Sequence, residues 1–197
     1  MSKERRARRE RISTETTVSV ELDLDGGEVS IDTGVPFFDH MLEQLGQHAH
    51  LGLVIDARGD LEIDAHHTVE DVGIVLGEAL AAALQDKRGI ARYGDALVPM
   101  EEALAQVAVD LSGRTLLAYE AEIGAESIGA YDVDLTHEFL QALCRSAGLT
   151  LHVRLLGGTN AHHCTEAIFK GLARALNEAV TFEARAGREV PSTKGIL

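Results

Sequence analysis

The chain has 197 residues, 45 % hydrophobic and 25 % charged, which is ordinary globular composition with enough length for a real core. Aromatics are scarce at 4 % and tryptophan is absent, so Ala, Val, Leu and Ile are expected to build that core. The net charge of −14 argues against non-specific nucleic-acid binding, two cysteines are too few for a disulfide framework, and neither a long apolar span nor a secretory leader is evident. These features lead us to expect a cytoplasmic protein with no membrane or nucleic-acid partner.

Residues 1–11 stand apart, with six basic residues against Glu4 and Glu10, and are expected to form a solvated, poorly ordered arm. Residues 16–24 alternate apolar and polar as a half-buried strand does, and Asp25-Gly26-Gly27 should turn that strand toward Val29–Asp32. Phe38, Met41, Leu42 and Leu45 fall on one face of a helix starting near Asp39. Leu51–Asp56 and Asp60–Asp64 resemble a hairpin around Arg58-Gly59, and a helix follows from about His66 to Gln85 with Asp64 as its cap. Strands are expected at Tyr93–Met100, Leu104–Leu111 and Thr115–Glu122, with a turn at Ser112-Gly113-Arg114. A helix over about Leu135–Ala147, a strand at Leu149–Leu156 and a final helix after Gly157-Gly158 complete the chain.

The same pattern occurs twice. His66-His67-Thr-Val-Glu70 returns as His162-His163-Cys-Thr-Glu166, an offset of 96, and His40 upstream of the first copy matches His137 upstream of the second, an offset of 97. Six of the nine histidines therefore belong to one duplicated constellation. The division reads as an arm (1–11), two repeated halves (about 12–90 and 91–185) and a tail (186–197). No Pro/Gly/Ser linker separates the halves, so the expectation is one α+β unit.

On a helix His66 and Glu70 share a face, whereas His66 and His67 point roughly 100° apart and do not readily chelate one ion together. A His-His pair thus suits one helix serving two ions, or two sites. Imidazole with carboxylate is donor chemistry for Mn, Fe, Co or Zn. A histidine pair capping a helix is the bland alternative for one isolated motif, but two copies with matching upstream histidines make it a poor account. By spacing alone His48, His50 and His152 are surface or structural, and Cys164, opposite Thr68 in the repeat, is packing. The repeat is broken at Lys170, which aligns with Ile74, as an asymmetric substrate would require.

Six segments, Phe37–Leu42, Asp64–Ile74, Asp110–Arg114, Asn160–His163, Glu166–Lys170 and Pro191–Gly195, resemble the imidazoleglycerol-phosphate dehydratase family from about Arg11 onward. The resemblance implies helices between two four-stranded sheets (a ribosomal protein S5 domain 2-like fold). It also implies two Mn2+ ions per site and a homo-oligomer of 24 subunits with sites at subunit interfaces. Its ligand set would be His40, His66, His67, Glu70, His137, His162, His163 and Glu166, with Glu15, His67 and His163 in catalytic roles. Substrate contacts would fall to Glu15, Gln44, His48 and Lys170, and phosphate contacts to Arg92, Arg114 and the tail residues Ser192, Thr193 and Lys194. The implied reaction removes water from D-erythro-imidazoleglycerol phosphate and gives imidazole acetol phosphate. A metal-dependent hydrolase would need a base beside a bridging water, and neither HExxH nor an Asp-rich motif supplies one. A metal-storage protein would have no use for Arg92, Arg114 and Lys194.

Overall fold

The computed structural model describes residues 4–183, 187, 189–193 and 195. Its first half runs β1 (Arg6–Ile12), β2 (Thr16–Asp23), β3 (Val29–Asp32), α1 (Pro36–Ala49), β4 (Gly52–Gly59) and α2 (His66–Leu84). The second half runs β5 (Tyr93–Met100), β6 (Ala103–Asp110), β7 (Leu116–Glu120), a small hairpin of β8 (Ser127–Ile128) and β9 (Tyr131–Asp132), α3 (Asp134–Ala147), β10 (Thr150–Gly157) and α4 (Ala161–Val180). The sheets have the orders β1-β2-β4-β3 and β5-β6-β10-β7, one topology used twice. The mixed α+β architecture is thus the duplicated fold that the repeat implies.

Alternation along β2 and β6 buries one face of each sheet: Val18, Val20 and Leu22 in the first, Ala105, Val107 and Val109 in the second. Helix α2 lies on β1 and β2, α4 lies on β5 and β6, and the helices meet as α2 with α3 and α1 with α4. The four helices therefore fill the space between the sheets, and one continuous apolar cluster spans both halves. Each half contributes one helix to each pair, so neither half can bury its apolar faces alone. Two glycines of α2 set the α2–α3 spacing. A Cβ on Gly73 would lie 2.8 Å from the Phe139 carbonyl oxygen, and one on Gly77 would lie 2.9 Å from that of Leu143.

Four expectations are corrected. Residues 6–12 are not a loose arm but the antiparallel edge strand β1, with Arg6 against Asp23 and Arg8 against Glu21. The basic run is ordered by a seven-residue backbone ladder with β2, and Glu21 and Asp23 sit opposite two of its arginines. Arg11 also reaches the mostly buried Asp71 at 2.8 Å. Second, Val29–Asp32 does not pair with β2; β4 lies between them, and β3 runs parallel to β4. Third, Asp60–Asp64 is a turn closed by the Ile63 amide on the Asp60 carbonyl at 2.8 Å. Its alternating Leu61 and Ile63 are exposed at 38 % and 69 %, so the period-two signal marks no buried face. Fourth, the core is mainly aliphatic as expected, yet Phe38, Phe139, Phe169 and Tyr131 are fully buried within it. Phe139 packs edge-on to Phe38 at 5.2 Å and stacks on Phe169 at 5.5 Å.

Candidate metal centre and substrate site

Both His-His pairs open a helix, and each is placed by an Asx side chain two residues ahead. Asn160 Oδ1 accepts from the His162 and His163 amides, and Asp64 Oδ1 accepts from the His66 amide at 2.8 Å. These contacts satisfy amides that a helix start leaves unpaired. Within each pair the rings are 6.1 Å apart and nearly perpendicular, at 88° for the first and 78° for the second. The divergence that helical geometry demands is therefore present in both copies.

Helices α1 and α4 present two facing stripes with four-residue spacing: His40, Gln44 and His48 on one, His162, Glu166 and Lys170 on the other. His162 Nε2 lies 3.1 Å from Glu166 Oε2, His40 Nε2 lies 3.9 Å from the same oxygen, and Lys170 Nζ lies 2.6 Å from Oε1. One ligand atom from each of His40, His162 and Glu166 falls within 4.8 Å of the others, a possible His/Glu metal site. Glu166 is 5 % exposed. Burial works to raise its carboxyl, but Lys170, His162 and His40 outweigh that and hold it below its ordinary value. A buried anion between two imidazoles is a fitting partner for a divalent cation. His48 Nε2 contacts Gln44 Oε1 at 3.1 Å, and burial, Lys170 and Arg174 lower the His48 pKa.

The pseudo-equivalent set is arranged more loosely. His137 packs edge-on to Tyr119 at 5.3 Å, and its Nδ1 is 3.5 Å from Glu138. His66 borders a cavity of about 390 Å³ beside Asp64, Asp134 and Glu138. Among the described residues, no second group of three donors is drawn as close as His40, His162 and Glu166. His66, Glu70 and His137 are thus not gathered within the one chain, and His67 and His163 diverge from their neighbours.

His67 has two carboxylates near it. Its Nδ1 is 3.0 Å from Asp60 Oδ2 and 3.9 Å from Glu15 Oε2, and the bond to Asp60, supported by Glu15, raises its pKa. Glu15 lies in the β1–β2 turn, so the fold brings two candidate catalytic residues, 52 positions apart, side by side. His163 Nδ1 is held at 2.8 Å by Glu102 of the β5–β6 turn. That bond, together with the Asn160 and Thr159 amides, keeps the Glu102 carboxyl far below the usual carboxylate range.

The candidate phosphate residues lie elsewhere. Arg92 grips Asp110 at 2.7 and 3.1 Å and donates from Nη1 to the Pro191 carbonyl at 2.8 Å. Its guanidinium thereby anchors the tail that carries Ser192 and the exposed Thr193. Arg114 is exposed and stands 4.0 Å from Asp110. Lys194 lies outside the described residues. The Arg92 amide bonds to Ala179 in the last turn of α4, whereas His162 opens that helix. At about 1.5 Å per residue, the two ends are about 25 Å apart.

Sequence reasoning missed Asp60, Glu102, Asp71 and Asp110. Asp71 accepts from Thr16 and Arg11, and Asp110 sits between Arg92 and Arg114. Asp71 and Glu102 carry no spacing signal, because their partners come from distant segments. Asp60, seven residues ahead of His67, could have been found by asking which carboxylate sits near the motif. Cys164 is buried with its sulfur against Gly158, where a Cβ would lie 2.4 Å away. That is packing, as the repeat indicated.

Comparison with known proteins agrees in family and fold. Residues 33–176 match the family described as imidazoleglycerol-phosphate dehydratase. A protein of that name from Anaeromyxobacter sp. (strain Fw109-5) is 57 % identical over 198 residues, covering all of this chain and 95 % of the relative. Another from Frankia casuarinae is 57 % identical over 194 residues, 98 % of this chain and 99 % of the relative. The crystal structure of the Staphylococcus aureus enzyme superposes with a TM-score of 0.83 at 39 % identity, covering 90 % of this chain and 99 % of that one. That of the Pyrococcus furiosus enzyme in complex with (S)-C348 gives 0.82 at 36 % identity, covering 96 % and 100 %.

Proposed function

The chain belongs to the imidazoleglycerol-phosphate dehydratase family, the hydro-lyases of histidine biosynthesis, and on that premise we propose that it converts D-erythro-imidazoleglycerol phosphate to imidazole acetol phosphate with two Mn2+ ions per site. The observation that carries the metal part is the convergence of His40, His162 and Glu166 from two helices onto one point. His66, Glu70 and His137 are the repeat's equivalent set for the second ion, with His67 and His163 completing the eight ligands. Bound there, the ions would supply Lewis acidity and a template for orienting the substrate.

The chain's own residues do the rest. The proton to be removed has no neighbouring carbonyl, so a positioned base is needed, and Glu15 stands beside His67 to take it. The hydroxyl next to the ring leaves and, with the proton taken from the neighbouring carbon, is lost as water; the enol that remains tautomerises to the ketone. Gln44, His48 and Lys170 continue the two facing stripes that carry the metal cluster and are placed to hold the glycerol chain. Arg92, Arg114, Ser192, Thr193 and Lys194 are the phosphate partners, suited by charge and donor geometry.

A single chain supports only part of this site. About 25 Å separates His162 from the Arg92 region along α4, farther than one small substrate spans. The reading therefore places each site between subunits of a homo-oligomer, with the phosphate grip and the metal cluster drawn from different copies, and we retain 24 subunits as its size. No helix among the described residues is long and apolar enough to cross a membrane; a cytoplasmic location is part of the proposal.

The test is a dehydration assay on wild type and Glu15→Gln. The expected outcome is a drop in kcat on the order of 10²–10⁴-fold with metal content unchanged. Near-normal turnover in the variant would remove Glu15 from the proton path.

A further inference from the structure

The second histidine of each motif is held through Nδ1 by a carboxylate from a different part of the chain. Asp60, just past β4, holds His67 with both oxygens, at 3.0 and 3.2 Å. Glu102, in the β5–β6 turn, holds His163 at 2.8 Å. The sources differ although the histidines are repeat equivalents, so the shared chemistry does not follow from the duplication alone.

The sheet topology puts Glu15 and Glu102 at equivalent places. Glu15 immediately precedes β2, and Glu102 immediately precedes β6, its repeat equivalent. The two glutamates therefore occupy one position of the duplicated fold. In the second half, residues 158–160 between β10 and α4 carry no carboxylate, and Glu102 itself takes Nδ1. Its other oxygen accepts from the Thr159 and Asn160 amides, which locks it in place. In the first half Asp60 occupies Nδ1, and Glu15 is left 3.9 Å away with its side chain 54 % exposed. Of these two glutamates, Glu102 is held by the histidine and two amides, whereas Glu15 stands 3.9 Å from His67.

We propose that Asp60 and Glu102 are positioning residues that hold His67 and His163 by Nδ1 and leave each Nε2 as the metal-facing nitrogen, and that the presence of Asp60 releases Glu15 for proton transfer. A carboxylate on the far nitrogen fixes ring orientation and tautomer and makes the imidazole a better donor; losing such a partner commonly costs about 10–100-fold in metal affinity. The inference rests on the metal-dependent reading above.

The test is Mn2+ titration of metal-stripped, assembled protein, with free Mn2+ read by electron paramagnetic resonance. Variants are Asp60→Asn, Glu102→Gln and Glu15→Gln, with melting of each metal-free protein measured alongside. Glu102→Gln keeps an acceptor for the two amides but offers Nδ1 only an amide NH2. The expected result is a Kd for Mn2+ raised about tenfold or more in Asp60→Asn and Glu102→Gln. Glu15→Gln should keep the wild-type Kd, and melting of all three metal-free proteins should be unchanged. Kd values unchanged in both carboxylate variants would overturn the inference. So would a weakened Kd matched by a destabilised metal-free protein, which would mark the two carboxylates as structural. Wild type that binds no Mn2+ would overturn the metal-dependent reading and this inference together, whereas binding wild type with unaffected variants would overturn this inference alone.

Discussion

Glu166→Gln is expected to lower kcat/KM on the order of 10³-fold or more, a loss of about 4 kcal/mol in transition-state stabilisation. The variant keeps the side chain's size and removes its charge. In the wild-type protein the carboxylate lies between His162 at 3.1 Å, His40 at 3.9 Å and Lys170 at 2.6 Å. Without it the Lys170 ammonium has no counter-charge and stands beside two imidazoles that are to receive a cation. One ligand is lost and a repulsive charge is exposed at the same point. The defect should therefore appear as lost Mn2+ as well as lost turnover, measured by metal analysis of the purified variant alongside the dehydration assay. Retention of the full metal complement at wild-type activity would show that this cluster is not the metal centre.

Phe139→Ala should give the largest change in stability, about 3–5 kcal/mol, because it empties the volume of a fully buried ring. For a chain of this length that corresponds to a fall of roughly 6–20 °C in Tm. Phe139 lies where α1, α3 and α4 meet, touching Phe38 and Phe169, and its ring also lies 3.3 Å from the position a Cβ on Gly73 would take. The cavity would open among three helices that carry His40, His137 and His162, so slackened metal binding should accompany the lower Tm. A thermal melt of the metal-free protein separates the packing loss from any stabilisation by metal. A shift under 2 °C would mean that the three helices repack around the gap.

The elements most legible in the sequence were those with a strong local period. The α2 and α4 helices, the strands β2 and β6, and the duplication itself all follow from spacing along the chain. What could not be read was set by partners distant in sequence. Val29–Asp32 follows a glycine turn, and only the tertiary arrangement inserts β4 between it and β2. Leu61 and Ile63 carry an alternating pattern without a sheet to receive it. Arg6–Ile12 has the composition of a tail, yet it pairs with β2 along its whole length, with Glu21 and Asp23 facing two of its arginines.

The site divides in the same way. His-His-x-x-Glu is a motif on one helix, and the diverging rings follow from helical geometry alone. That His40 joins His162 and Glu166, rather than the motif 26 residues downstream of it, depends on the exchange of helices between halves. Arg92, proposed above as a phosphate partner, is also a structural anchor. The fold commits much of its guanidinium to Asp110 and the tail, a bond across 99 residues that no local pattern announces.

On the proposed function, dehydration needs a pair of ions held by the duplicated histidines. This need is tested most directly by stripping the assembled protein with a chelator, then adding Mn2+ back while counting bound ions and assaying imidazoleglycerol phosphate dehydration. The stripped protein should show no turnover, and activity should recover to saturation at two ions per chain, one per repeat of the His-His-x-x-Glu motif. Full activity in the stripped protein would contradict that need.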